Sequence, residues 1–238
     1  MNLPNALTIG RFAFTPLLVW LPLLRDPGYR LAAFVLFLLV AVTDYYDGML
    51  ARTRGLVTDL GKNLDPLADK LLLLGTFVPM FYLQAPDSDG LLKFFLGAHP
   101  QREVLSNFPF VISMLGADLS VPFHWWVAAI VLGREVAMTI MRQLAARRGT
   151  FISAIWAAKL KTVFQLIWVG AAYFWFFLAT VDLLDVHAKT GWGFLTNLCG
   201  LVGVLAMTAS VALTLYTLAV YVWRFGPVLM RPPAGRHT

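Results

Sequence analysis

The stretch Leu31-Ala-Ala-Phe-Val-Leu-Phe-Leu-Leu-Val-Ala-Val-Thr43-Asp44-Tyr-Tyr-Asp47-Gly48-Met-Leu-Ala51-Arg52 decides how this chain folds. Its uncharged run, residues 31–43, is shorter than the roughly 20 residues that a helix needs to cross a hydrocarbon core. A spanning helix here must therefore take Asp44 and Asp47 into its own membrane-embedded or interfacial part. Further uncharged runs cover residues 12–24, 71–86, 119–133, 162–181 and 190–223. The short ones extend in the same way, taking in Arg11, then Asp65, Asp69 and Lys70, then Arg134 and Glu135. The fifth helix, expected over residues 151–180, takes in Lys159 and Lys161. The expectation is an all-α polytopic membrane protein, with six transmembrane helices in one domain over residues 1–230.

Composition agrees. Hydrophobic residues make up 59% of the 238 and charged residues 13%, against about 25% charged in soluble domains, which excludes an ordinary soluble globule. Cys199 is the only cysteine, so an intrachain disulfide and a cysteine-rich zinc site are excluded. A net charge of +6 on so apolar a chain points to lipid head groups or a phosphorylated substrate and away from nucleic acid.

With a cytosolic N-terminus and alternating helices, all the intramembrane charges fall in the cytosolic half. Such charges are costly and face a bundle interior or a watery cavity, so one polar chamber open to the cytosol is expected. Nine Lys and Arg then lie in cytosolic loops and the tail against five outside, as the positive-inside rule requires. The N-terminal segment reads as a retained helix. Residues 84–120, punctuated by Pro86, Gly90, Pro100 and Pro109, fit no spanning helix and are expected to form an interfacial or re-entrant insertion on the outer face. Residues 231–238 are expected to be a disordered tail.

The chemistry concentrates in four aspartates. Asp44 and Asp47 share one helix face, Asp65 and Asp69 another, and a short loop joins the two. Four carboxylates so close cannot all stay ionised without cations. Hard oxygen donors suit Mg²⁺, Mn²⁺ or Ca²⁺, and a bridged metal pair clamps a phosphoryl group during in-line displacement. Gly48 and Gly61 let a ligand approach the backbone, and Arg52 offers a fork for phosphate. Capping accounts for Asp65 before Pro66, but not for Asp44 and Asp47 behind an uncharged run.

The segment from Asp44 to Arg52, followed after eight residues by Gly61-Lys-Asn-Leu-Asp65-Pro-Leu-Ala-Asp69, resembles the complete signature of the CDP-alcohol phosphotransferase family. All eight fixed positions, Asp44, Asp47, Gly48, Ala51, Arg52, Gly61, Asp65 and Asp69, match at the right spacing. The resemblance implies two divalent ions, Mg²⁺ or Mn²⁺, on the four aspartates, with Asp69 also the general base. It implies that Gly48, Arg52 and Thr58 hold the CDP moiety, with Asn5, Thr8 and Gly61 beside them, and it suggests a homodimer.

Three further segments resemble the phosphatidylglycerophosphate synthase branch: Asn2-Leu-Pro-Asn5-Ala-Leu-Thr8 with Arg11, Gly133-Arg134-Glu135 with Arg142, and Lys159-Leu-Lys161-Thr162 with Gln165. Arg134, Arg142, Lys159 and Lys161 are the expected pocket for the phosphate of glycerol 3-phosphate. The branch has Gly where this chain has Ala158. The implied activity is phosphatidyl transfer from CDP-diacylglycerol to glycerol 3-phosphate in phospholipid biosynthesis, with release of CMP, in a bacterial inner membrane. Other acceptors (inositol phosphate, serine or phosphatidylglycerol) remain open within the family, and a divalent-cation transporter outside it. His99, His124, His187 and His237 lie away from the aspartates and are not expected to be ligands. Trp125, Trp126, Trp192 and Trp223 fit interfacial aromatic belts.

Overall fold

The computed structural model describes residues 3–24, 26–53, 59–83, 110–114, 117–121, 123–150, 153, 155–184 and 192–230. Within these, the side chains of residues 3–8, 45, 47–53, 59–66, 82, 110–120, 182–184, 192–193 and 227–230 fall outside the description. Helices dominate: α1 (Leu3–Trp20), α2 (Pro27–Thr53), α3 (Asp59–Leu83), α4 (Trp125–Arg147), α5 (Trp156–Leu184) and α6 (Trp192–Met230), with a 3-10 turn at Leu21–Leu23.

Local chemistry sets several ends. The Asp26 carboxylate accepts a bond of 2.7 Å from the Gly28 amide, and Pro27 opens α2 behind it, an N-cap followed by proline where no amide is needed. After α4 the Gly149 amide donates to Ala146 and the Thr150 amide to Ala145. Gly149 has φ +70°, the left-handed conformation this C-terminal motif requires.

Among the described residues three helices are long and apolar enough to cross a membrane, over Pro27–Asp44, Trp156–Val181 and Phe194–Gly226, and Ile9–Leu23 is a shorter apolar helix. In α3 the ionisable residues lie in the first half, Asp59 to Lys70, and in α4 from Arg134 onward. Large apolar side chains stand exposed along the helices, among them Leu39, Ile140, Leu205 and Trp223, a surface suited to lipid.

One expectation is corrected within residues 110–121. They form an antiparallel hairpin, β1 (Phe110–Met114) with β2 (Ala117–Val121), in the register Phe110↔Val121 to Met114↔Ala117. Among the described residues the fold is thus nearly all helical, with one two-stranded antiparallel pairing where helix alone was expected. Pro122 disfavours helical geometry at Val121, so the apolar run from Leu119 does not continue as one helix into the segment that begins at Trp125. Residues 84–109 of the expected insertion and the tail 231–238 lie outside the described residues.

The chain forms two compact units, Met1–His124 with Leu166–Leu205, and Trp125–Gln165 with Ala206–Thr238. In the first, Phe77, Phe123 and Trp168 pack with ring centroids 5.0–5.4 Å apart. The buried Tyr173 hydroxyl donates to the Leu18 carbonyl at 2.9 Å. Buried Arg30 donates to the Pro22 carbonyl at 3.0 Å and to the Thr180 hydroxyl, pinning the start of α2. At Gly75 an added Cβ would lie 2.7 Å from Thr15 Cγ2, so glycine lets α1 and α3 close up. In the second unit, Tyr221 is fully buried, and its hydroxyl accepts from the Ile155 amide at 3.0 Å and donates to the Ser153 carbonyl at 3.2 Å.

Candidate active site

In the first unit, α1, α2 and α3 bring Arg11, Asp44 and Asp69 together. The same Nη1 of Arg11 donates to Asp69 Oδ1 at 2.8 Å and to Asp44 Oδ1. Carboxylate oxygens from two helices therefore converge on one atom. Arg11 is 3% exposed, whereas the carboxylates are 47% and 60% exposed. The buried guanidinium forms the floor, and the acids are open to a ligand. Thr15, one turn on, donates to the Arg11 carbonyl at 2.8 Å.

This donor set fits a hard divalent ion: anionic oxygens from two helices already share one positive centre. Among the described residues no third His, Cys, Asp or Glu joins them. Asp47 and Asp65 fall on α2 and α3, three residues after Asp44 and four before Asp69, which places each on the same helix face as its partner. Their side chains lie outside the description, as do those of Asn5 and Thr8 on α1, Gly48 and Arg52 on α2 and Gly61 on α3; Thr58 lies outside the described residues altogether.

In the second unit, α4, α5 and α6 build a basic cluster. Glu135 accepts from Arg134 Nη1 at 3.0 Å and from Lys161 Nζ. Arg134 Nη2 lies 3.5 Å from the Thr217 hydroxyl. Arg134 and Lys161 are buried, while Arg142 and Lys159 are exposed. The eight-residue spacing of Arg134 and Arg142 leaves the two about 80° apart around the helix, enough to put one inside and the other outside.

Arg11 and Glu135 were expected in the polar chamber without a role of their own, and the polar residues of α6 were not expected there. Arg11 is the centre of the aspartate end, through contacts to residues 33 and 58 positions away. Glu135 joins the two buried cations. On α6 the buried Ser210, Thr214, Thr217 and Tyr221 form a polar stripe. Thr214 donates to the Ser210 carbonyl at 2.6 Å and Thr217 to the Thr214 carbonyl at 3.1 Å. Their spacing of four, three and four residues was a signal in the sequence: one polar face on an otherwise apolar helix.

Comparison with known proteins points to the same family. The family model described as CDP-alcohol phosphatidyltransferase matches residues 1–223. A Mycobacterium tuberculosis protein named "Probable phosphatidylglycerophosphate synthase" is 32% identical over 173 residues, 71% of this chain and 64% of that protein. The chain thus spans under two thirds of the length of that mycobacterial relative. A Bacillus subtilis protein named CDP-diacylglycerol–glycerol-3-phosphate 3-phosphatidyltransferase is 30% identical over 182 residues, 71% of this chain and 75% of its own. A rice protein named cardiolipin synthase (CMP-forming) is 34% identical over 151 residues, 63% of this chain and 37% of its own.

Proposed function

The chain belongs to the CDP-alcohol phosphatidyltransferase family, and we propose that it transfers the phosphatidyl group of CDP-diacylglycerol to glycerol 3-phosphate, giving phosphatidylglycerophosphate and CMP. The observation that carries this reading is the convergence of Asp44 and Asp69 on Arg11 inside the family signature. The relatives named as phosphatidylglycerophosphate synthase and glycerol-3-phosphate phosphatidyltransferase support the acceptor.

In this mechanism Asp69 takes the proton from a hydroxyl of glycerol 3-phosphate. That oxygen attacks the phosphorus bonded to diacylglycerol, the bond to the CMP oxygen breaks, and CMP leaves. Asp44, Asp47, Asp65 and Asp69 would hold two divalent ions, Mg²⁺ or Mn²⁺, which supply positive charge for the pyrophosphate. Asn5, Thr8, Gly48, Arg52, Thr58 and Gly61 bind the CDP moiety. Arg134 and Lys161 bind the acceptor phosphate, with Arg142 and Lys159 contributing charge from exposed positions. Confining the donor to the bilayer raises its effective concentration.

The same reading gives a single integral membrane domain with six spans, the active site facing the cytosol of a bacterial inner membrane, and a homodimer. Exposed apolar helices and the family support membrane residence. A sibling activity with phosphatidylglycerol as acceptor is the second reading, favoured by the rice relative named as a cardiolipin synthase. Purified protein offered CDP-diacylglycerol with glycerol 3-phosphate, serine, inositol phosphate or phosphatidylglycerol should form product with glycerol 3-phosphate. Product with only one of the others rejects the acceptor.

A further inference from the structure

Three polar atoms in the second unit, Nε of Arg134, Oε1 of Gln165 and Oγ of Ser210, are buried with no hydrogen-bond partner among the described residues; the hydroxyl of Ser210 can serve as donor or acceptor, whereas the other two are fixed in kind. A buried polar group left unmet costs about 1–3 kcal/mol, and folded proteins leave few of them. Arg134 is engaged through Nη1 with Glu135 and through Nη2 with Thr217, and Nε is its one nitrogen without a partner among the described residues. Gln165 lies one helical turn beyond Lys161 on α5, which puts the two on one face, and Lys161 is held by Glu135.

The cluster therefore presents an unmet donor beside two buried cations and an unmet acceptor one turn away. A fully deprotonated anion such as sulfate would satisfy only the donor, and an apolar ligand neither. A molecule carrying both an anionic oxygen and a hydroxyl hydrogen answers both. We propose that Gln165 is the specificity-determining residue for the acceptor. Its side-chain oxygen accepts a hydrogen bond from a hydroxyl that does not react, while Arg134 and Lys161 take the phosphate. This rests on the reading that the second unit binds the acceptor.

The test compares glycerol 3-phosphate with 3-hydroxypropyl phosphate, which keeps the phosphate and a primary hydroxyl but lacks the secondary one. The wild-type protein should prefer glycerol 3-phosphate by about tenfold in kcat/KM, the worth of one well-made hydrogen bond. Gln165→Leu should lose most of that preference, with kcat/KM for 3-hydroxypropyl phosphate within about threefold of wild type, because that acceptor never made the bond. Gln165→Met, close in shape and equally unable to accept strongly, is read by the same ratio where the Leu variant fails to fold. An unchanged ratio in the variant that folds overturns the role of Gln165 and leaves its oxygen to a bound water. Absence of wild-type turnover on glycerol 3-phosphate is a different result, one that removes the acceptor assignment itself.

Discussion

The two charged clusters are mirror images in stoichiometry. At the aspartate end two carboxylates share one guanidinium, leaving one formal negative charge among those three groups. In the second unit two cations share the carboxylate of Glu135, leaving one formal positive charge. Burial differs in the same sense. The acids at the first site are open, while the second site buries both cations and leaves its one acid 27% exposed. Similar residues thus make one cluster with an excess of negative charge and one with an excess of positive charge.

The largest test of this contrast is catalytic. Asp69→Asn keeps the shape but removes the base and an anionic oxygen, and should lower CMP release by about 10³-fold or more with an unchanged unfolding midpoint. Near-normal release would break the assignment of the first cluster.

Stability should separate the clusters next. Glu135→Leu leaves two buried cations without their shared acid and should cost about 3–5 kcal/mol in denaturant unfolding in detergent. Asp44→Ala removes a half-exposed carboxylate and leaves the buried Arg11 its bond to Asp69, so it should cost no more than about 1 kcal/mol. Equal costs would mean that the difference in burial has no energetic consequence.

The smallest effects belong to the exposed cations. Arg142→Gln and Lys159→Gln should each change kcat/KM for glycerol 3-phosphate by less than about threefold, since an exposed charge acts through screened solvent. A loss as large as that of Arg134→Ala would show that burial does not sort the members of the pocket.

Much of the chain was legible because membrane burial is a harsh filter. Apolar runs marked the helices, and aspartates that interrupt them had to serve a purpose. The hairpin at residues 110–121 was not legible, since short apolar segments read equally as helix or strand; Pro122 was the clue. Nor did Arg142 and Lys159 join Arg134 and Lys161 in burial, because spacing along a helix fixes an angle but not which side meets a neighbour. Glu135 stood next to Arg134 in the sequence, yet its second partner, Lys161, lies 26 residues on.

The sequence by itself determined the residue types, the helical periods and the family signature, all of which rest on local spacing and composition. Tertiary structure alone decided that Arg11 would gather Asp44 and Asp69, that Glu135 would join two cations, and that Gln165 would keep a buried oxygen unmet. Those outcomes depend on which helix faces meet across tens of residues. A periodic pattern gives each helix a face but carries no record of its neighbour.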